Sequence, residues 1–218
     1  MNAAPKKKSI SRFWQKVLIK VRYGMVIQVI KRRIIRIGIE ISPYYLFLEG
    51  AEVTNIPAIK DLESDCSIEI FLPEDMALMK DNDSGFSYQD FLNFLEDGQK
   101  CIGIKHKGKV AAFMWINFND LKYKSFHMQL KSNEAYLWSM FTMEEYRGKN
   151  LAPFLRYKSY EILHEMGKDT LYSVSEYFNT PAIRFKQKLN ARILNLLLYI
   201  RFFKMFERNF TLRSYYKK

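Results

Sequence analysis

Residue types suited to chemistry are most concentrated between Glu134 and Tyr160, EAYLWSMFTMEEYRGKNLAPFLRYKSY. An apolar, aromatic-rich run from Ala135 to Thr142 predicts a strand. Leu151, Phe154, Leu155, Tyr157 and Tyr160 recur at helical spacing, and a tight loop from Glu144 to Asn150 joins the two. A strand that delivers a basic glycine loop to a helix start is a device for capturing anions. The first N–H groups of a helix have no internal acceptors, and the macrodipole places partial positive charge at that end. Arg147 and Lys149 add two full cations, and Gly148 removes the side chain that would block a close approach. The chemistry this predicts is the holding of a diphosphate by main-chain donors.

As Arg147-Gly148-Lys149-Asn150-Leu151-Ala152, this loop resembles motif A of the GNAT superfamily of N-acetyltransferases, Gln/Arg-x-x-Gly-x-Gly/Ala, which joins the fourth strand to the third helix of that fold. Asn150 stands where the family has its first glycine. Asn adopts positive φ more readily than other non-glycine residues, so the turn is expected to persist with an extra side chain near the pyrophosphate. A second stretch, NTPAIRFKQKLN from Asn179 to Asn190, follows a predicted strand Thr170–Val174. It resembles the superfamily's motif B, Asn-x-x-Ala-x-x-Leu/Phe-Tyr-Glu-Lys-Leu-Gly, through Asn179, Ala182, Phe185, Lys188 and Leu189. Lys186 occupies the position where many members carry the tyrosine that protonates the departing thiolate, and Asn190 replaces the closing glycine.

The resemblance implies an α+β fold: a central, mostly antiparallel sheet with splayed parallel strands in the middle, helices on both faces, and here a basic N-terminal helical extension. It implies an acyl-CoA-dependent N-acyltransferase, with acetyl-CoA the first candidate co-substrate, acting on a primary amine of a small molecule or amino sugar. In that fold the pantetheine arm bonds to exposed backbone between the splayed strands. Met140 and Thr142 are thereby assigned as main-chain contacts, Arg147, Gly148, Lys149, Asn150, Leu151 and Ala152 as the diphosphate loop, and Asn179 as a contact from the other side. Acyl transfer needs an amine without its proton, donors for the developing oxyanion and a proton for the thiolate. Position at strand ends makes Glu134 and Glu176 the candidate bases. Tyr177, following the second splayed strand, is the candidate acid. The alternative is a catalytically degenerate CoA-binding sensor or scaffold, which the departures at Asn150, Lys186 and Asn190 favour.

The elements that must position these residues come from a chain of 218 residues with 48% hydrophobic content, enough for one sizeable core plus extensions. Cys66 and Cys101 are too few for a disulfide framework, and His106, His127 and His164 are scattered, so no metal is assigned. Residues 1–39 hold eleven Lys/Arg and no Asp/Glu, leaving only +1 of the net +12 for the rest. Residues 184–218 hold ten Lys/Arg against Glu207 alone, so residues 40–183 carry −8. The ends are basic and the middle acidic. Nucleic acid is an unlikely partner, because no recognition motif accompanies the charge.

Residues 1–9 read as a polar tail. From Ser11, Phe13/Trp14, Val17/Leu18, Val21 and Met25 recur at three and four among Arg12, Lys16, Lys20 and Arg22, which predicts a basic amphipathic helix. Such a face either packs on the catalytic domain or lies on an anionic membrane surface, contact then running through residues 10–36. No run is long enough to span a bilayer and no cleavable signal is apparent, so the expected location is cytoplasmic, peripheral at the inner membrane face if the helix binds lipid. The division predicted is an extension over 1–43 and a GNAT-like domain over 44–218. Within the latter, strands are expected at Tyr44–Leu48 and Ile68–Leu72, helices opening at Pro73 and Tyr88, and a hairpin flanking His106–Lys109. Asn119–Lys131 is expected as a link, and strands Ile193–Phe203 and Phe210–Tyr216 close the chain.

Overall fold

The computed structural model describes residues 35, 37–50, 53, 55–62, 65–79, 84–203 and 205–216. The basic helix expected over residues 10–36, with its membrane face, lies outside the described residues apart from residue 35. In chain order the elements are β1 (Ile39–Glu49), β2 (Cys66–Phe71), α1 (Pro73–Met76), α2 (Tyr88–Glu96), β3 (Lys100–His106), β4 (Lys109–Asn117), β5 (Asp120–Tyr123) and β6 (Phe126–Gln129). There follow β7 (Glu134–Thr142), α3 (Leu151–Glu165), β8 (Thr170–Glu176), α4 (Thr180–Lys188), β9 (Arg192–Phe202) and β10 (Phe206–Ser214). Eight strands form one sheet in the order β10-β9-β1-β8-β7-β4-β3-β2, and β5–β6 stand apart as a hairpin. All neighbours are antiparallel except β7 and β8, which run parallel.

Helices cover both faces, as a period-two alternation in a central strand requires. Ala112, Met114 and Ile116 of β4 pack with Leu151, Leu155 and Leu163 of α3 on one face. Phe113 and Trp115, the intervening residues, pack on the other with Met76 of α1 and Phe91 of α2. The β5–β6 hairpin brings Leu121 into a third cluster with Tyr44, Tyr136 and Leu197. Helix starts follow local chemistry. Pro73 opens α1, and the Ser87 hydroxyl accepts from the Asp90 N–H while the Asp90 carboxylate accepts from the Ser87 N–H, a reciprocal cap at the start of α2.

Three elements differ from expectation. The strand expected over Tyr44–Leu48 runs from Ile39 to Glu49 and contains Pro43. Pro43 is tolerated because its carbonyl accepts from the Tyr177 N–H beyond the end of β8, so its missing donor faces no ladder position. The link expected over Asn119–Lys131 is the β5–β6 hairpin, and its turn uses Lys124 at φ 55. The last strand begins at Phe206 rather than Phe210, after a turn with Phe203 at φ 49.

β1 lies between β8 and β9, and its final residue anchors a buried charge cluster. The side chain of Glu49 has no exposed surface. It accepts hydrogen bonds from the hydroxyls of Tyr160 on α3 and Ser173 on β8. Arg156 Nε of α3 lies 3.5 Å from one carboxylate oxygen and Lys186 Nζ of α4 lies 3.6 Å from the other. Burial by itself would raise the Glu49 carboxyl, but the two cations and two hydroxyls outweigh it and hold the group below the usual carboxylate range. One carboxylate thus ties β1, α3, β8 and α4 together. Glu49→Gln keeps an acceptor but leaves two buried cations uncompensated, and is expected to cost about 3–5 kcal/mol in urea unfolding at pH 7. A loss under about 1 kcal/mol, the range of an exposed pair, would show that the cluster is not charged.

Candidate active site

The parallel ladder between β7 and β8 runs from Glu134↔Thr170 to Leu137↔Ser173 and stops, although the strands continue to Thr142 and Glu176. The cause lies on the other edge of β7. Its register with β4 passes from Trp115↔Trp138 to Phe113↔Phe141, so β7 carries one extra residue, and Ser139 adopts φ 46 there. A bulge bends and twists its strand, which turns this end of β7 away from its parallel neighbour. The main-chain groups of Trp138–Thr142 that face β8 are left without ladder partners, and such groups require water or a ligand.

The diverging ends border a cavity of about 490 Å³. Met140, Thr142 and Glu176 line it from the strands, Ala152 and Arg156 from α3, and Asn179, Phe185 and Lys186 from the α4 side. Thr142 and Ala152 also border a hollow of about 280 Å³ against the loop that opens α3, so the two spaces adjoin. Asn150 and Pro153 in turn border both that hollow and a recess of about 1020 Å³ carrying Lys60, Arg184 and Lys188. On the far side, Trp138 separates the groove from a polar recess of about 400 Å³ lined by Asp97, Gln99, Asn117, Asn119 and Asp120.

The loop has the geometry its sequence predicts. Gly148 takes φ 84, and a Cβ added there would meet no atom within 4 Å. Asn150 takes φ 64 at the position preceding α3, and its side-chain amide donates to the Ala58 carbonyl at 2.7 Å, bracing the turn from outside. Leu151 is buried, whereas Ala152 borders both the hollow and the groove. Arg147 borders the hollow, but its Nε donates to the Thr142 carbonyl at 3.3 Å and its guanidinium lies 5.8 Å from the Phe141 ring centroid. Lys149 lies over the Tyr146 ring instead of lining the hollow.

The catalytic candidates separate. Glu176 lines the groove and accepts from the Tyr123 hydroxyl at 3.4 Å. Burial, followed by the Glu176 carboxylate, pushes the Tyr123 phenol well above its ordinary value, so it remains a donor. Glu134 stands at the opposite, paired end of β7, where its carboxylate accepts from the Lys131 N–H at 2.9 Å and the Tyr172 hydroxyl at 3.2 Å. It is not brought to the groove. Tyr177 sits on the rim, 41% exposed, with its ring 5.3 Å from that of Tyr45, and does not line the cavity. Asn179 does line it, while its Oδ1 accepts from the Ala182 N–H as the cap of α4.

Lys186 also lines the groove. Burial is the chief influence on its ammonium and, with Arg156 nearby, outweighs the pull of Glu49 and lowers it to about 7. It donates to Ser173 Oγ at 2.6 Å and the Val174 carbonyl at 3.1 Å, which places it where the β7–β8 ladder ends. Tyr123 and Arg156 carried no motif. Arg156 does have a signal in hindsight, a cation on the stripe Ala152, Arg156, Ser159, Leu163 that α3 turns inward.

A family model described as the acetyltransferase (GNAT) family matches residues 56–191. Comparison with curated protein sequences gives no match. A GNAT-family structure from Novosphingobium aromaticivorans is similar with a TM-score of 0.52 at 20% identity, over 75% of this chain and 65% of its own. A GNAT-family acetyltransferase from Colwellia psychrerythraea is similar with a TM-score of 0.56 at 16% identity, over 75% of this chain and 57% of its own. The chain thus spans 57% to 65% of the length of these two structures, and at such identities the likeness is one of fold. With the family model covering more than half of its length, the chain belongs to the GNAT acetyltransferase family.

Proposed function

We propose that this chain transfers an acyl group from a CoA thioester to a primary amine of a small, polar acceptor such as an amino sugar. The observation that carries the reading is the end of the β7–β8 ladder at Leu137↔Ser173, beside a cavity that adjoins the glycine loop of α3. The residues present fit the co-substrate. Unpaired backbone at Trp138–Thr142 suits an arm rich in amides, and the first N–H groups of α3 with Gly148 suit a diphosphate. The recess carrying Lys60, Arg184 and Lys188 suits the nucleotide's further phosphate.

When bound, the thioester supplies an acyl carbon open to attack by an amine. The chain's own groups do the rest. Backbone N–H groups at the Ser139 bulge, where β7 leaves its ladder with β8, are the candidate donors to the oxyanion that develops. Glu176, with Tyr123 holding its carboxylate, takes the proton of the incoming amine. The recess beyond Trp138 offers the Asp97 carboxylate, an Asp120 carboxylate paired with Lys122 at 2.6 Å, three side-chain amides and an aromatic wall, a lining suited to a hydroxylated acceptor. Lys186, near the ladder's end, is the candidate proton donor to the leaving thiolate in place of the family tyrosine.

Combining Arg147→Glu with Gly148→Glu puts two anions at the loop. Acetyl-CoA affinity in calorimetry is expected to fall about tenfold or more, with a melt showing only the cost, about 1–2 kcal/mol, of a left-handed side chain. Unchanged affinity removes the loop from the site. Glu176→Gln is expected to lower kcat for thiol release with amino sugars about 100-fold while acetyl-CoA affinity holds. An unchanged kcat assigns the base elsewhere, and wild-type protein that binds CoA without releasing thiol on any amine supports the sensor reading.

A further inference from the structure

At the closed end of the groove, two basic side chains are buried together. Arg156 and Lys186 are 2% exposed each, the buried Glu49 carboxylate faces both, and Glu176 lines the same cavity. Arg156 is the less satisfied of the two cations. Lys186 has the Ser173 hydroxyl and the Val174 carbonyl as acceptors, whereas Arg156 Nε and Nη1 are buried and have no hydrogen-bond partner. A guanidinium cannot shed its proton, and a buried donor without an acceptor carries its full desolvation cost. The side chain lines the cavity rather than the protein interior alone, with Phe185 on its flank at 6.0 Å. A ligand entering the groove therefore meets a guanidinium whose Nε edge is turned to Glu49 and whose Nη1 has no protein acceptor.

We propose that Arg156 receives a carboxylate at the far end of the acyl group, so that the preferred co-substrate is a dicarboxylic half-thioester of CoA such as the malonyl, succinyl or glutaryl thioester. The inference rests on the acyl-CoA reading of the groove. Position favours the acyl chain as the source of the anion over the acceptor. Arg156 projects from the helix whose N-terminus opens the nucleotide loop, and its partner cluster touches Ser173, where the ladder closes and a threaded arm must end. The recess assigned to the acceptor lies beyond Trp138 and does not include Arg156. A neutral acyl chain could offer a carbonyl oxygen to Nη1, but a carboxylate accepts the stronger, charge-assisted hydrogen bond from a guanidinium.

The test is calorimetric titration of the full chain with malonyl-, succinyl- and glutaryl-CoA, each against the neutral thioester of equal chain length, and with free CoA. The expected result is that at least one dicarboxylic thioester binds about tenfold tighter than its neutral counterpart, and that in Arg156→Met the ratio of charged to neutral thioester affinity falls to about one. Equal binding of the charged and neutral thioesters by the wild-type chain overturns the inference and leaves the groove's assignment standing. A preference that survives in Arg156→Met also overturns it, by placing the carboxylate elsewhere. Failure of free CoA and every thioester to bind removes the acyl-CoA reading itself. The wild-type comparison needs no variant, so the inference stays testable if Arg156→Met does not fold.

Discussion

Two parallel strands cannot remain paired when one of them bends at a bulge, and the architecture of the candidate site follows from that constraint. Ser139 adds a residue to β7 opposite β4, the strand bends, and its ladder with β8 ends at Leu137↔Ser173. An open seam in the middle of a sheet leaves backbone groups unpaired where the fold would otherwise satisfy them. The arrangement persists because both strands are held on their outer edges, β7 by β4 and β8 by β1. The seam is therefore a rigid slot rather than a frayed edge, and α3 places the free N–H groups of its first turn at its mouth.

The slot depends on a strand from outside the motif-bearing region. β1 precedes the two motifs in sequence yet lies between β8 and β9. Its last residue supplies the carboxylate beneath the seam. Burying two cations with one anion is costly, and hydrophobic side chains of the same volume would often be as stable or more so. The cluster is consequently weak as a stabilising device but strong as a positional one. It fixes α3 and α4 to the closed end of the slot, and it leaves Arg156 with donors in need of an acceptor. Strand pairing and site electrostatics meet at Glu49.

Much of the loop's conformation was legible in the sequence because it is local. Gly148 and Asn150 adopt the positive φ that their types permit, and the Leu151, Leu155 stripe buries as its spacing requires. Asn179 caps a helix, as a short polar residue before Thr-Pro-Ala should. What could not be read was set by pairing at a distance. Glu134 and Glu176 both stand at strand ends, but the pattern does not say which end of a parallel pair diverges, and the structure brings only Glu176 to the groove. Tyr177 follows the right strand but turns to Tyr45, a residue of β1 whose position no local pattern reveals. The β5–β6 hairpin carries Tyr123 into the site on a turn, Lys124-Ser125, whose one turn-favouring residue is a serine, the weaker signal beside glycine, proline or asparagine.

The central claim is that the unpaired seam and the start of α3 together hold a CoA thioester. Amide hydrogen exchange of the wild-type chain, followed with and without saturating acetyl-CoA, addresses it directly. The account predicts fast exchange in the free protein at residues 148–152 and at those amides of residues 138–142 that face β8 rather than β4, slow exchange at both sets when the thioester is present, and protection of the paired stretch 134–137 throughout. Exchange in 138–142 and 148–152 that stays fast under conditions where acetyl-CoA demonstrably binds, with new protection confined to other segments, would contradict it.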